Sequence, residues 1–488
     1  MDEAHGSRSV SRTKRADPLG PHCLSEVWED TVAPAMVDYL LRKEVQFTIL
    51  NPLRIGVAGK PSPPAFIMIG INPDTLSSKT GIEVAVDCRS ILLQNQIEDV
   101  HILVCESKYQ RAAMYKPAIR TDPAAILREP FSTTVGIPIC NAKTSNFEGT
   151  GGLFFIDSTN PGILYLLTAR HVLFHPDKEE NKLYKFHEGS GAARRKVMLM
   201  GDAAFKARCD SLESIIRLSR MKIEQINREL EATEKLEDED DVIAEREEAE
   251  KVITAFKELL ATVTMDWEDK EKRVIGHVTL SPPLTFNHGA DGFTDDWAVI
   301  EIHPSMISKF NFIGNAIDLG YVGYDELMVW MYPHPANPSS FNYPHDRLLR
   351  FFGTVSDQEM FKLDPKTKDK DTDPVTMVLK NGATSNLTVG RLNTIRAFTR
   401  EYSKNKPGEM SKEVGVLPRN SRSGPFSKPG DSGSVVVDGK GRVCGILTGR
   451  DGVTEDSDCI FVTSINFIIK RLADFGIKAN IFPLPADL

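Results

Sequence analysis

Residues 428–434, Lys-Pro-Gly-Asp-Ser-Gly-Ser, have the composition and spacing of a nucleophile loop. Ser432 has a glycine two residues before it and another directly after it, and three valines follow at 435–437. Glycine permits backbone conformations that other residues avoid, and it lets backbone N–H groups approach a reacting carbonyl oxygen. Taken alone, Gly-Asp-Ser-Gly is equally compatible with a turn that leads into a strand.

A histidine ends an apolar run of strand length. Residues 163–172 are Ile-Leu-Tyr-Leu-Leu-Thr-Ala-Arg-His-Val, which predicts a strand that ends close to His171. A strand end supports a side chain rigidly while it faces a cleft, and the ordinary pKa of imidazole suits proton transfer near neutral pH. A lone histidine is also compatible with a surface role, as for His175, which lies in a His-Pro-Asp turn.

A carboxylate immediately precedes another apolar run. Residues 295–302 are Asp-Asp-Trp-Ala-Val-Ile-Glu-Ile, which predicts a buried strand that starts after Asp296. A carboxylate in this place can orient an imidazole and stabilise the imidazolium ion, although aspartates are also common in turns that lead into strands. Asp295 is the alternative candidate, and Asp296 is favoured because it directly adjoins the apolar run.

Together, in the chain order His171, Asp296 and Ser432, these segments resemble trypsin/chymotrypsin-like serine peptidases, specifically their disulfide-poor intracellular branch. The matching motifs are Thr-Ala-Arg-His at 168–171, Asp-Trp-Ala-Val at 296–299 and Gly-Asp-Ser-Gly at 430–433. This chain order differs from those of subtilisins and α/β-hydrolases. Other segments are similar to the strands and the terminal helix of the family, and the resemblance covers roughly residues 130–488 apart from an insert.

The resemblance implies a Ser432–His171–Asp296 triad that hydrolyses peptide bonds through an acyl-enzyme intermediate. Ser432 would attack the carbonyl carbon, His171 would carry the proton, and Asp296 would orient the imidazole. The backbone N–H groups of Gly430 and Ser432 would form the oxyanion hole. The expected substrate is a protein or a peptide, and no metal or cofactor is expected.

The same resemblance indicates a substrate pocket at Phe426, Thr448, Gly449 and Arg450. Phe426 falls at the base of the primary pocket, and because it is not acidic, cleavage after lysine or arginine is not expected. Arg450 falls near the wall of that pocket. Thr448 falls where the family often has a hydroxyl near the catalytic carboxylate.

One departure from the family concerns Asp431. Secreted members pair the matching aspartate with a freed N-terminus, and no activation sequence is apparent before Gly149. Asp431 must therefore be neutralised in another way, or else the oxyanion hole forms only when a partner or substrate binds.

The composition of the 488-residue chain narrows the function further. The net charge of −9 argues against a general nucleic-acid binder, and no apolar run approaches the ~20 residues of a membrane span. The seven cysteines are scattered without a Cys-x-x-Cys pair, which argues against a zinc site. Secreted members of the family have a disulfide beside the catalytic histidine, whereas Val172 follows His171 here, so the resemblance implies a reducing compartment, and a cytoplasmic location is expected. The cysteines are Cys23, Cys88, Cys105, Cys140, Cys209, Cys444 and Cys459.

The pattern along the chain predicts several domains. Residues 1–24 are polar and are expected to be a disordered tail. Residues 25–120 alternate as helix-strand-strand-helix-strand, which predicts a small α/β (α+β) domain of unknown role. Residues 121–488 are expected to form the peptidase domain, an all-β double six-stranded barrel of the chymotrypsin type.

An insert of residues 203–264 separates His171 from Asp296. Apolar residues recur there at alternating spacings of three and four, which predicts helices with a coiled-coil seam. Both ends must return to neighbouring strands, so a helical hairpin is expected, with the acidic residues 237–241 at its tip. The hairpin is compatible with a partner, with self-association, or with no partner at all.

Two functions from different classes fit these observations. One is an active serine endopeptidase, which the presence of all three triad residues supports. The other is a latent or inactive peptidase-fold protein that acts as a scaffold or in signalling through its coiled coil and N-terminal domain. An esterase that uses the same nucleophile is a third alternative.

Overall fold

The structure is a computed structural model that describes two compact units, residues 1–111 and residues 112–488. It describes the whole chain except residues 1–13, 58–62, 72–74, 108–113, 118–127, 188, 190, 192, 233–238, 321, 335, 338–340, 363–365, 370, 402–407 and 452–458. Within the described residues, no helix has the length and apolar composition needed to cross a membrane.

The first unit is a four-stranded sheet with helices packed on it. Its elements are β1 (Lys14–Pro18), α1 (Leu24–Val27), a π-helical turn (Trp28–Val32), α2 (Ala33–Arg42), β2 (Phe47–Val57), β3 (Ala65–Ile71), α3 (Ser78–Gln94) and β4 (Val100–Glu106). The strand order is β1-β2-β3-β4, antiparallel except for the parallel pair β3–β4. Alternate residues of β3, such as Ile67 and Ile69, are buried against Met36 and Leu40 of α2, as the period of two of a strand requires.

Part of the expected disordered tail forms a strand. Residues 14–18 are β1, which pairs with β2 over five residues, from Lys14 opposite Val57 to Pro18 opposite Leu53. The pairing satisfies backbone groups that a polar composition alone does not reveal. Residues 1–13 of the expected tail lie outside the described residues.

The second unit contains two large sheets. Its first elements are β5 (Pro138–Asn141), β6 (Glu148–Thr150), β7 (Leu153–Asp157), β8 (Asn160–Thr168), α4 (Arg170–Leu173), β9 (Tyr184–Lys185), β10 (Lys196–Leu199), α5 (Asp202–Ala232), α6 (Glu239–Trp267), β11 (Val274–Ser281), β12 (Thr285–His288), β13 (Phe293–Asp295) and β14 (Ala298–Ile302). Its later elements are β15 (Ala316–Asp318), α7 (Tyr324–Met331), β16 (Leu348–Arg350), α8 (Asp357–Met360), β17 (Thr376–Gly382), β18 (Asn386–Leu392), β19 (Ala397–Glu401), β20 (Glu409–Pro418), β21 (Val435–Asp438), β22 (Val443–Asp451), β23 (Cys459–Ser464), α9 (Ile465–Asp474) and β24 (Ala479–Asn480).

One of these sheets closes into a barrel. The strands follow the order β18-β17-β21-β22-β23-β20, and β18 pairs again with β20, so six antiparallel strands form a ring. Closure leaves these six strands without an open edge. The prediction of a barrel in this part of the chain is confirmed.

The other sheet has nine strands and carries the histidine and aspartate segments. Its order is β24-β7-β8-β14-β11-β10-β5-β6, with β9 paired to β11. The apolar runs of β7, β8 and β14 are buried because the sheet packs into the same hydrophobic core as the barrel.

Helices α5 and α6 lie between β10 and β11 in the chain. Residues at the recurring spacing are buried on both helices, including Leu212 and Ile216 on α5 and Ile253 and Phe256 on α6. The two helices contact each other, for example through Lys222 and Glu245. Residues 233–238, which include part of the expected acidic tip, lie outside the described residues.

Glu129 is a buried carboxyl group in the second unit, and its ionisation should make stability depend on pH. Its side chain accepts hydrogen bonds from the hydroxyls of Ser132 and Thr134, and burial raises its pKa from 4.5 to about 7. Because the folded pKa is the higher one, the stabilising contribution is complete below pH 4.5 and is lost as the pH rises through 7.

We therefore expect Glu129→Gln to increase the free energy of unfolding by about 3 kcal/mol at pH 8.5, with no difference at pH 4. Urea unfolding at both pH values measures the change. Glu180→Gln, at an exposed acid, is the control and should change neither value. An equal stability of Glu129→Gln and wild type at pH 8.5 would contradict the prediction.

Candidate active site

The register of two neighbouring strands brings His171 and Asp296 together. Strands β8 and β14 are antiparallel, with Thr168 opposite Ala298. When this register is continued beyond the strand ends, residue 296 falls opposite residue 170, next to His171. The single helical turn α4 then carries His171.

Asp296 holds His171 at two points. Its Oδ2 lies 2.6 Å from His171 Nδ1, and its Oδ1 accepts a hydrogen bond of 3.1 Å from the backbone N–H of His171. A carboxylate can only accept, so Nδ1 carries the hydrogen, and in the neutral imidazole Nε2 then carries the lone pair. The carboxylate side chain is 5% exposed and the imidazole 22%, so part of the imidazole is accessible.

The alternative carboxylate, Asp295, is engaged elsewhere. Its Oδ1 accepts a hydrogen bond of 2.5 Å from Trp297 Nε1, and its Oδ2 lies 2.9 Å from Arg471 Nη2. Since Asp295 is almost completely buried, this ion pair satisfies a charge that would otherwise be costly.

The loop that carries Ser432 packs against the segments before His171. The carbonyl oxygen of Ser432 accepts a hydrogen bond of 2.8 Å from Thr150 N, and the Thr150 hydroxyl donates to Gly430 O at 2.9 Å. Gly433 has a φ of +92°, and a Cβ there would overlap with Thr150 O and with the hydroxyl of Thr168. Only glycine therefore fits at position 433.

Three polar groups of this loop make no hydrogen bond within the described residues. Ser432 is partly exposed, and within the described part of the chain its hydroxyl makes no hydrogen bond. The backbone N–H groups of Gly430 and Ser432 likewise find no acceptor among the described residues. The structure thus joins Asp296 and His171 directly and leaves Ser432 without a hydrogen bond to either.

Asp431, directly before Ser432, forms a completely buried ion pair. Its Oδ2 lies 3.1 Å from Lys380 Nζ, and both side chains have no exposed surface. Asp431 also accepts hydrogen bonds from the backbone N–H of Lys428 at 2.8 Å and of Thr384 at 2.9 Å, and from the Ser385 hydroxyl. Of the two alternatives for Asp431, the structure has the first, neutralisation within the chain.

The ion pair also sets the protonation state of Asp431. Burial acts to raise the pKa of this carboxyl group, but the Lys380 ammonium and the hydrogen bonds from Ser385 and Lys428 outweigh it, so that the pKa lies below its ordinary value. The charged form is therefore the stable one in the folded protein at neutral pH.

A cavity of about 550 Å³ lies beside His171 and Asp296. Thr448, Gly449 and Arg450 line it, as do apolar side chains and a second arginine. These further residues include Leu284, Phe286, Phe398, Phe461 and Arg400.

Phe426 lies in a different environment from the other expected pocket residues. It is 1% exposed, its ring centroid lies 5.4 Å from Lys380 Nζ, and its ring lies close to Gly390 of β18. It is not among the described residues that line the cavity. Its role in a primary pocket stays a prediction.

Sequence reasoning missed Glu413, which also lines the cavity. It is 2% exposed and lies on the inward face of β20 with Ser411. Thr448, expected near the catalytic carboxylate, instead shares a hydrogen bond of 2.9 Å with Thr463, whose hydroxyl lies 3.4 Å from Glu413 Oε2. The available signal was the period of two in β20, which places Glu413 on the same face as buried small residues.

Comparisons with known proteins find likeness only in structure. No family model matches the chain, and no curated protein matches it. Similar solved structures include a glutamic acid specific serine protease, which is 10% identical; the match covers 72% of this chain and 100% of that chain with a TM-score of 0.32. Thermobifida fusca Protease A is also similar, with 10% identity, coverage of 72% of this chain and 99% of that chain, and a TM-score of 0.32. Cellulomonas bogoriensis chymotrypsin is 13% identical, and the match covers 42% of this chain and 75% of that chain with a TM-score of 0.24. TM-scores this low carry no argument about activity.

Proposed function

We propose that the chain is a serine endopeptidase that cleaves protein or peptide substrates with Ser432, His171 and Asp296. The observation that carries this proposal is the 2.6 Å contact between His171 Nδ1 and Asp296 Oδ2. It fixes the tautomer in which Nε2 can accept a proton, which is the tautomer that a serine nucleophile needs.

In the proposed reaction, Ser432 Oγ forms a bond to the carbonyl carbon while His171 Nε2 takes the hydroxyl proton. The N–H groups of Gly430 and Ser432, which have no other acceptor within the described residues, bind the oxyanion. His171 then donates the proton to the leaving amine as the carbon–nitrogen bond breaks. Water, activated by the same imidazole, attacks the acyl-enzyme and releases the acid, and Ser432 regains its proton.

The buried Lys380–Asp431 pair supports an enzyme whose loop is assembled in the intact chain. Because Asp431 is neutralised from strand β17, we propose that no cleaved terminus is required to hold the residues around Ser432. This favours constitutive activity over latency.

The substrate is proposed to extend through the cavity beside His171. Thr448, Gly449 and Arg450 line this cavity together with apolar rings, which supports contacts with several substrate residues. The position of Phe426 at the base of a primary pocket remains part of the proposal. Because Phe426 is not acidic, we do not expect cleavage after lysine or arginine. A cytoplasmic location is proposed because Val172, not a cysteine, follows His171, and the cysteines are free thiols.

A binding role for α5 and α6 is a second proposal. Leu218 and Met221 are 62% and 57% exposed on α5, and they lie three residues apart, on one side of the helix. They favour contact with a partner protein or a second copy of the chain. A cellular function that survives Ser432→Ala but is lost on removal of residues 205–263 would favour this role over catalysis.

Labelling with a fluorophosphonate probe tests the proposed enzyme. The probe reacts with a serine only when the base and the oxyanion hole are assembled, so we expect wild type to be labelled and Ser432→Ala to remain unlabelled. Ser434→Ala is the matched control, because Ser434 is buried and its hydroxyl donates to Asp431 O. Absence of labelling in folded wild-type protein would contradict the proposed function.

A further inference from the structure

The three residues that end in Asp296 are each held by a different partner. Thr294 donates to Glu413 Oε1 from its backbone N–H at 2.9 Å and from its hydroxyl at 2.6 Å. The partners of the next two residues are Arg471 for Asp295 and His171 for Asp296. The segment is thus anchored at consecutive positions rather than by its strand alone.

The partner of Thr294 belongs to the barrel that carries the serine. Glu413 lies on β20, one of the six strands of the closed ring, whereas Thr294 lies on β13, which pairs only with β12 among the described strands. The two hydrogen bonds therefore tie the aspartate segment to the barrel from which the Ser432 loop emerges.

From this geometry we propose that Glu413 is a positioning residue for the His171–Asp296 pair and acts on it through Thr294. The inference rests on the proposed function, since it assigns Glu413 a part in the same reaction. Thr294 is two residues from Asp296, so a shift of Thr294 is transmitted along a short stretch of backbone. Displacements of about 1 Å around reacting groups can cost two orders of magnitude in rate.

The surroundings of Glu413 argue for a specific role of its carboxyl group. A buried carboxyl group is costly, and an apolar residue would fill the same space at lower cost. Its second oxygen lies 3.4 Å from Thr463 Oγ1, which shares a hydrogen bond with Thr448 in the cavity wall. Both oxygens are thus directed to groups that line or border the cavity.

Hydrogen bonds and an arginine act on the buried carboxyl group of Glu413. Burial raises the pKa of Glu413, and the hydrogen bonds from Thr294 and Ser411 and the charge of Arg396 oppose the rise. Asp296, Arg400 and Arg450 line the same cavity. No ion pair of Glu413 is found among the described residues. We therefore infer that Glu413 holds the Thr294 segment mainly through hydrogen bonds.

Two substitutions at Glu413 separate hydrogen bonding from simple packing. In Glu413→Gln the amide oxygen can still accept from Thr294, whereas in Glu413→Ala both hydrogen bonds are lost. We expect Glu413→Ala to slow fluorophosphonate labelling by roughly 10- to 100-fold, and we expect Glu413→Gln to label within about threefold of wild type. Glu129→Gln, which alters a buried acid bonded to serine and threonine away from the cavity, is the matched control and should label normally.

Proton NMR gives a readout that does not depend on turnover. The hydrogen between His171 Nδ1 and Asp296 Oδ2 should give a resonance downfield of the amides, identified by its loss in Asp296→Asn. We expect Glu413→Ala to shift or broaden this resonance, and we expect Glu413→Gln and Glu129→Gln to retain it. If wild type has the resonance but is not labelled, the proposed function fails while the positioning role is still tested.

An unchanged resonance and labelling rate in folded Glu413→Ala would overturn the proposal. If Glu413→Ala does not fold, Thr294→Val decides, because it removes the 2.6 Å hydrogen bond and keeps the shape of the side chain. A wild-type resonance and rate in Thr294→Val would then overturn the proposal, whereas a shifted resonance with slower labelling would support it.

Discussion

Lys380→Met is expected to lower the free energy of unfolding by about 3–5 kcal/mol and to suppress labelling of Ser432. The substitution removes one member of an ion pair with no exposed surface and leaves Asp431 charged and buried, which is the costly way to break such a pair. Asp431 adjoins Ser432, so the residues around the nucleophile must move to rehydrate the carboxylate. Urea unfolding and the rate of fluorophosphonate labelling measure the two effects.

Two controls separate burial from charge. Lys470→Met removes a surface ion pair of similar length, 2.8 Å to Asp291, and should leave stability almost unchanged. Lys380→Met combined with Asp431→Asn leaves no buried charge and should recover much of the lost stability. Equal stability and labelling of Lys380→Met and wild type would show that the pair does not hold the loop.

Asp296→Asn is expected to slow labelling of Ser432 by about 10⁴-fold while the protein remains folded, the magnitude typical of this change in Ser-His-Asp triads. An amide NH₂ facing His171 Nδ1 would donate rather than accept, so the imidazole would carry its hydrogen on Nε2. That tautomer cannot take the proton of Ser432. The backbone N–H of His171 can still donate to the remaining amide oxygen.

Labelling kinetics and circular dichroism together test this expectation. Asp291→Asn, the same chemical change five residues earlier at a partly exposed position, should label at the wild-type rate. If Asp296→Asn labels as fast as wild type, Asp296 does not control the tautomer of His171 and the proposed triad is wrong.

The sequence was enough to predict a barrel, through its resemblance to a known family, and to propose the residues of the triad. Apolar runs with sharp ends predicted the strands that lead to His171 and away from Asp296, because the period and length of such runs follow from strand geometry. The same reasoning located the two insert helices, since spacings of three and four reflect the helical repeat. It did not predict strand β1, because its pairing with β2 depends on a strand more than 25 residues later in the chain.

Tertiary structure decided which of several similar residues meet. Asp295 and Asp296 are adjacent in the sequence, and only the register of β8 against β14 brings Asp296 to His171 and leaves Asp295 to Arg471. The same holds for Lys380, one of many lysines, which reaches Asp431 because β17 and β21 are neighbours in the barrel.

What the sequence by itself determined about this protein is the order and local setting of His171, Asp296 and Ser432, because turns, strand ends and glycines act over a few residues. What only the tertiary structure decided is how Asp431 is neutralised and how Thr294 is anchored by Glu413. Those contacts join residues far apart in the chain, and their formation depends on strand register and barrel closure, which local composition does not specify.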